Sequence, residues 1–246
     1  KTTCIIMRSI ISQKARNWMN RDIMKDGSYQ LGHIVELVDA VPDHIDEDCF
    51  FFFCVALIND VVQRFGYTAN PLGYIPNELL NYSGRTIWTG TLAEAEVFSK
   101  TTPLFVKPIP ERQKEFNGFV MSGAQMDTIY YINYVANGDE VVMLSTVVDI
   151  QSEWRCFVLN GELIGSKHYK GDFRISPDYK VMDEIISKWE GSHVAWSCDL
   201  GVTDKGQTII VECHDVMCLG LYGLESKLAA LMVQKRWEQI HEQKKL

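Results

Sequence analysis

The stretch Thr208–Asp215 reads TIIVECHD, and its last four residues decide how the rest is understood. The opening TIIV is the continuous apolar run of a buried strand. Glu212 and His214 stand two apart near its end, so they point to one face. The preceding apolar run, HVAWSCD over 193–199, ends in Asp199, and a turn containing Asp204-Lys-Gly206 separates the two. If these runs pair, Asp199 and Glu212 face each other across the ladder. Facing carboxylates repel unless a cation or a proton lies between them. Oxygen donors of this kind suit Mg²⁺, which keeps water and substrate phosphates in its shell. Two other readings stand beside this one. The carboxylates end a solvated strand, or His214 belongs to a zinc site, for which no third strong ligand lies nearby.

Outward from this pair the second half of the chain is rich in strands. LFVK at 104–107, Phe119–Met121, Tyr130–Val135 and Glu140–Val148 all read as strands. Glu153-Trp-Arg-Cys-Phe-Val-Leu and Glu162-Leu-Ile-Gly-Ser-Lys-His-Tyr flank Asn160-Gly161, a strong hairpin signal. Ser176-Pro177 offers an N-cap and N1 for a helix that buries Val181, Met182, Ile185, Ile186 and Trp189 and stops at Gly191. An amphipathic helix from Leu224 to about Ile240 closes the chain. Upstream, Thr2–Met7 and Asp48–Ala56 (DCFFFFCVA) read as strands, and Leu57–Phe65 as a helix ended by Gly66. A capping box, Thr91-Leu-Ala-Glu94, opens a helix through about Ser99. The expected class is α+β with a mostly antiparallel sheet. The expected division lies near Thr101-Thr-Pro103, giving a smaller α/β domain at 1–102 and a second domain at 103–246.

Composition excludes several classes. The chain has 246 residues, 46% of them hydrophobic, which supports an ample core. The net charge is -8, and lysines and arginines are scattered, so a nucleic-acid face is not expected. No stretch approaches the run of roughly 18 apolar residues that a membrane span requires. KTTCIIMRS lacks a signal-peptide layout. The 7 cysteines form no CxxC pair and sit mostly in apolar runs, as free thiols do in a reducing cytoplasm.

Three cations draw attention. Lys107 ends an apolar strand before Pro108, where it either points into a cleft or snorkels at an edge. Lys114 lies in QKEFNG, with Gly118 leaving room for a ligand to approach backbone. Arg155, on one face with Glu153 and Phe157 and, across the turn, with Ser166 and His168, either clamps phosphate or carboxylate or forms a cross-strand ion pair. Neither GxxxxGK[ST] nor GxGxxG is present.

The order of these pieces carries more than any one of them. "YSGRTIWTGTLAEAE", "FVKPIPERQKEFNGFV", "STVVDIQSEWRCFVLNGELIGSKHYKGD" and "CDLGVTDKGQTIIVECHD...GLYG" together resemble the R-two-K clade of ATP-grasp domains, of phage and bacterial type, over about Tyr82 to Glu225. The resemblance implies an ATP-grasp fold preceded by a smaller α/β domain that helps hold the acceptor. It implies ATP and Mg²⁺ as cofactors. Lys107 and Lys114 match its two lysines that contact ATP phosphates, Arg85 matches the clade's arginine, and Ser145, Thr146, Val147 and Val148 match the hinge whose backbone pairs with adenine. Glu153 and Arg155 match the pair near ribose, phosphate or substrate, with Arg155 and Lys107 as catalytic groups. Asp199 and Glu212 match the metal carboxylates. The family continues E-x-N where this chain has His214, a poorer Mg²⁺ donor than an amide oxygen, and Asp215 is the candidate replacement. The implied activity is an ADP-forming carboxylate–amine ligase working through an acyl phosphate, with an unidentified carboxylate and amine as substrates. A small-molecule kinase and a nucleotide-binding protein without catalysis are the alternatives. The implied location is the cytoplasm, that of the host if the chain is phage-encoded.

Overall fold

The computed structural model describes residues 7–13, 18–44, 46, 48–66, 74–110, 116–123, 138–189 and 192–244. Three sheets make up the described part. The N-terminal sheet is parallel, in the order β2-β1-β3, from β1 (Arg8–Ser12), β2 (Ile34–Val38) and β3 (Cys49–Phe52). Helices α1 (Trp18–Gln30) and α2 (Val55–Phe65) belong to this part. β3 is buried at all four positions, as a strand covered on both faces must be. The first described strand begins at Arg8, and the expected strand Thr2–Met7 falls almost wholly outside the described residues. The ladder runs through Arg8, whose guanidinium bonds Glu36 of β2 at 2.6 Å. Helix α1 was not legible, because WMNRDIMKDGSYQ has a weak apolar stripe and an internal glycine. Gly27 is there for room: a Cβ would come within 1.8 Å of the Ser226 carbonyl oxygen.

The second sheet is antiparallel, in the order β4-β7-β5-β6. It comprises β4 (Ile87–Thr91), β5 (Leu104–Pro108), β6 (Phe119–Met121) and β7 (Val141–Thr146). Helix α3 (Leu92–Ser99) covers one face around Leu92, Ala95, Leu104, Val106, Val142 and Leu144. The capping box is formed, with Thr91 accepting from the Glu94 amide and Glu94 accepting from the Thr91 amide. β4 pairs with β7 along its whole length, so a cut at residue 102 would part β4 and α3 from the strands they pack on. The expected strand Tyr130–Val135 lies outside the described residues.

The third sheet is antiparallel, in the order β11-β10-β8-β9. Its strands are β8 (Ile150–Leu159), β9 (Glu162–Gly171), β10 (Ala195–Thr203) and β11 (Thr208–Asp215). Asn160 and Gly161 turn β8 into β9 with φ of 53° and 75°, the paired positive values of a type I′ hairpin. Helix α4 (Tyr179–Lys188) packs Met182 and Ile185 against Cys156, Val158, Trp196, Cys198 and Leu200. Its N-cap is Asp178 rather than Ser176: the Asp178 carboxylate accepts from the Lys180 amide, while Pro177 precedes the helix. Gly191 lies outside the described residues. The last helix, α5 (Ser226–Lys244), joins the N-terminal and third sheets through one core containing Phe51, Phe53, Phe157, Met217 and Trp237. Among the described residues no helix is long and apolar enough to cross a membrane.

Candidate active site

The third sheet has one face sealed by α4 and another that opens, at its middle, onto a cleft of about 810 Å³. Strand alternation sends Cys198 and Leu200 to the sealed side and Ser197 and Asp199 to the other. On β11 alternation is interrupted. Asp199 opposes Glu212 while Leu200 opposes Ile210, so Val211 is an extra residue in the ladder. This bulge lets Ile210 enter the core while Glu212 and His214 face the cleft, a re-aiming that bulges commonly perform. Arg85 stabilises the outer edge of β11 there, donating to the carbonyls of Ile210 (3.1 Å) and Val211 (2.7 Å). Burial holds the Arg85 guanidinium below its ordinary pKa, with Glu212 and Glu153 opposing that shift.

The expected pairing of Asp199 with Glu212 is observed, and protein cations neutralise both carboxylates. Arg155, opposite Asp199 on β8, donates to both its oxygens, Nε and Nη2 each at 2.7 Å. Glu212 meets Lys107 Nζ at 3.2 Å and His214 Nε2 at 3.0 Å. His214 Nε2 also lies 3.4 Å from Asp199 and 3.1 Å from Arg155. Burial alone would push both carboxyls up. The Arg155 charge and hydrogen bonds bring Asp199 below its usual range, and His214 with Lys107 brings Glu212 well below. Burial likewise pulls His214 down, but Glu212 and Asp199 outweigh it and the imidazole is raised.

The ligand atoms of Asp199, Glu212 and His214 all lie within 4.8 Å of one another. Asp215 does not join them. One residue further along the strand, it bonds Arg236 of α5 at 2.9 Å, and its other oxygen is buried with no partner among the described residues. The corrected neighbours of Arg155 follow from a bulge in the β8–β9 ladder between Phe157 and Val158. Arg155 opposes Lys167, whereas Ser166 and His168 oppose Cys156 and Trp154.

Lys107 reaches Glu212 from the second sheet, so the pair spans the cleft. Phe105, one pleat before Lys107, and Ser145 opposite it on β7 line the same wall. The Ser145 hydroxyl is buried and has no hydrogen-bond partner among the described residues. Thr146, Val147 and Val148 line the cleft where the chain passes from β7 to β8, between the two sheets. Glu153 accepts from the Tyr169 hydroxyl at 2.7 Å and from Lys170. Lys114 lies outside the described residues. Sequence reasoning missed Tyr169 and Tyr222, which also line the cleft. The only signal for Tyr222 was its place between glycines in GLYG.

A family model described as an ATP-grasp domain, R-two-K clade family 2, matches residues 82–232. Solved structures with a similar fold include N5-carboxyaminoimidazole synthetase from Staphylococcus aureus, with 11% identity over 94% of this chain and 78% of that one, at a TM-score of 0.57. D-cycloserine synthetase DcsG matches with 13% identity over 96% and 100%, at 0.56. D-alanine–D-alanine ligase from Bacillus anthracis matches with 12% identity over 98% and 100%, at 0.54. At such identities the likeness is one of fold. No curated protein matches the sequence.

Proposed function

Since the chain belongs to the ATP-grasp domains of the R-two-K clade, family 2, we propose that it is an ADP-forming carboxylate–amine ligase that takes Mg·ATP in the cleft. One observation carries this reading. Lys107 from one antiparallel sheet meets Glu212 from the other across a cleft of ligand size, beside a second ionised carboxylate. The relatives in fold named for joining D-alanine to D-alanine and for making D-cycloserine support the reaction class.

The donor set fits a hard cation. Asp199 and Glu212 are held ionised on facing strands and offer the oxygen donors, with the His214 nitrogen, a poorer donor to Mg²⁺, within 4.8 Å of both. When bound, Mg²⁺ would neutralise phosphate charge and act as a Lewis acid on the phosphoryl group. Lys107, released from Glu212, would move its ammonium to the phosphates. Arg155 keeps Asp199 ionised and oriented, and so acts at the transferring end through that carboxylate. Arg85 lies in the same cleft wall and adds positive charge near Glu212. The adenine would lie against the 145–148 hinge, with Phe105 beneath it and the Ser145 hydroxyl as an additional polar partner.

In the reaction, a carboxylate oxygen attacks the γ-phosphorus and the bond to the β-phosphate oxygen breaks, releasing ADP. The amine then attacks the carbonyl carbon, phosphate leaves with the former carboxylate oxygen, and the amine loses a proton. The chain's part is to hold the reactants in line and to supply fixed charges where negative charge builds up. Incubation with Mg·ATP, pooled amino acids and peptides, and hydroxylamine tests the assignment. Acid-dependent ADP release with a trapped hydroxamate supports it. ADP release only with alcohols, with a phosphorylated alcohol recovered, replaces it with a kinase.

A further inference from the structure

Tyr222 has a backbone conformation that the fold does not explain. Two described non-glycine residues have positive φ, and Asn160 is accounted for by its hairpin turn. The other is Tyr222, at φ 47°, and a bulky residue there is strained. Its loop is fastened on both sides. Asn20 accepts from the Leu221 amide at 3.0 Å, and the Gly220 carbonyl accepts from Arg155 at 3.1 Å. Gly220 also leaves the ring its place, since a Cβ there would lie 3.1 Å from two ring carbons. The result is a tyrosine ring stacked on Tyr169, with centroids 4.9 Å apart and planes 14° apart. The Arg155 guanidinium lies 5.1 Å from the centre of the Tyr222 ring and 5.8 Å from that of Tyr169. The Tyr169 hydroxyl is fixed by Glu153 at 2.7 Å and lies 3.1 Å from Asp199. Tyr222 is 36% exposed and lines the cleft, so part of its ring is presented to a ligand.

We propose that the Tyr169–Tyr222 stack is the recognition platform for the carboxylate substrate, and that it selects an acid bearing an aromatic ring. This rests on the ligase reading. The stack stands beside Arg155 and Asp199, at the end of the cleft where phosphoryl transfer would occur, and is separate from the 145–148 hinge assigned to the base. An aromatic ring with a guanidinium 5.1 Å from its centre is a poor seat for a second cation and a good one for an electron-rich aryl face. Tyr169 acts as a positioning residue, holding the ring of Tyr222.

The test compares 3-phenylpropanoate with 3-cyclohexylpropanoate by saturation-transfer NMR. Each is titrated with the intact protein, with and without Mg²⁺ and a non-hydrolysable ATP analogue. The phenyl acid is expected to bind roughly tenfold more tightly, the scale of one aromatic pair. Tyr222→Gly, which suits the left-handed backbone, is expected to lose that preference while keeping its melting temperature and its affinity for the ATP analogue. Tyr222→Phe is expected to retain the preference. Equal binding of the two acids, binding of neither to protein that holds the analogue, or an unchanged preference in Tyr222→Gly overturns the proposal. Failure of the wild-type protein to bind the analogue overturns the ligase reading instead, and with it the assignment of the platform to a carboxylate substrate, whatever preference the acids show without nucleotide.

Discussion

Arg155 holds both oxygens of Asp199 at 2.7 Å, in a pair whose side chains are 4% and 2% exposed. Removing one member leaves the other charged and buried, which costs about 3–5 kcal/mol. Arg155→Ala is therefore expected to lower the unfolding free energy by that amount, read as a lower urea midpoint with little change in the denaturant slope. A loss under about 1 kcal/mol would mean that water reaches Asp199 and screens the pair.

Lys107→Ala removes the cation that spans the cleft. ATP affinity is expected to weaken by about 1.5–3 kcal/mol, the worth of a charged hydrogen bond. Isothermal calorimetry in the presence of Mg²⁺ measures it, and unaltered affinity would remove Lys107 from the phosphate site.

Gly84 sits at φ 61°, and a Cβ there would come 2.4 Å from Ile209 Cγ2. Gly84→Ala forces β11 away from Arg85 or strains the turn. The expected loss is about 1–3 kcal/mol in stability, accompanied by weaker nucleotide binding because Arg85 and Glu212 move with the strand. A melting curve and an ATP titration on the same sample read both effects.

The metal-free protein should show a bounded window of stability in pH. His214 is raised, so its stabilising contribution is full below the ordinary histidine value of 6.5 and is lost as pH rises through the higher folded value. Asp199 and Glu212 are lowered from 3.8 and 4.5, so their contributions are present above those values and are lost as pH falls through the folded ones. Melting temperatures in EDTA across pH 3–9 trace both limbs. In His214→Asn the alkaline limb is expected to flatten, and a slope unchanged by that substitution would assign it to another group.

The third sheet was legible because its signals are local. Asn-Gly fixes a hairpin, and the spacing of Glu212 and His214 fixes a face. The match of Asp199 with Glu212 followed from the turn between them. What escaped depended on partners distant in sequence. The Val211 bulge is a compromise between core and cleft that no window of eight residues displays. Asp215 looked like a metal donor until Arg236, on the last helix, was seen to hold it. α1 hid behind a polar pattern because few apolar residues, Ile23 and Met24 among them, carry it into the core, while Gly27 gives the start of α5 room. β4 went unread because IWTGT owes its place to pairing with β7.

The central claim is that a carboxylate is activated by phosphoryl transfer. The most direct measurement uses an acid found by ADP release, labelled with ¹⁸O in its carboxylate, with turnover products read by phosphorus NMR. The acyl-phosphate route predicts that one ¹⁸O passes into the inorganic phosphate for each amide formed. Amide formation with unlabelled phosphate would contradict it.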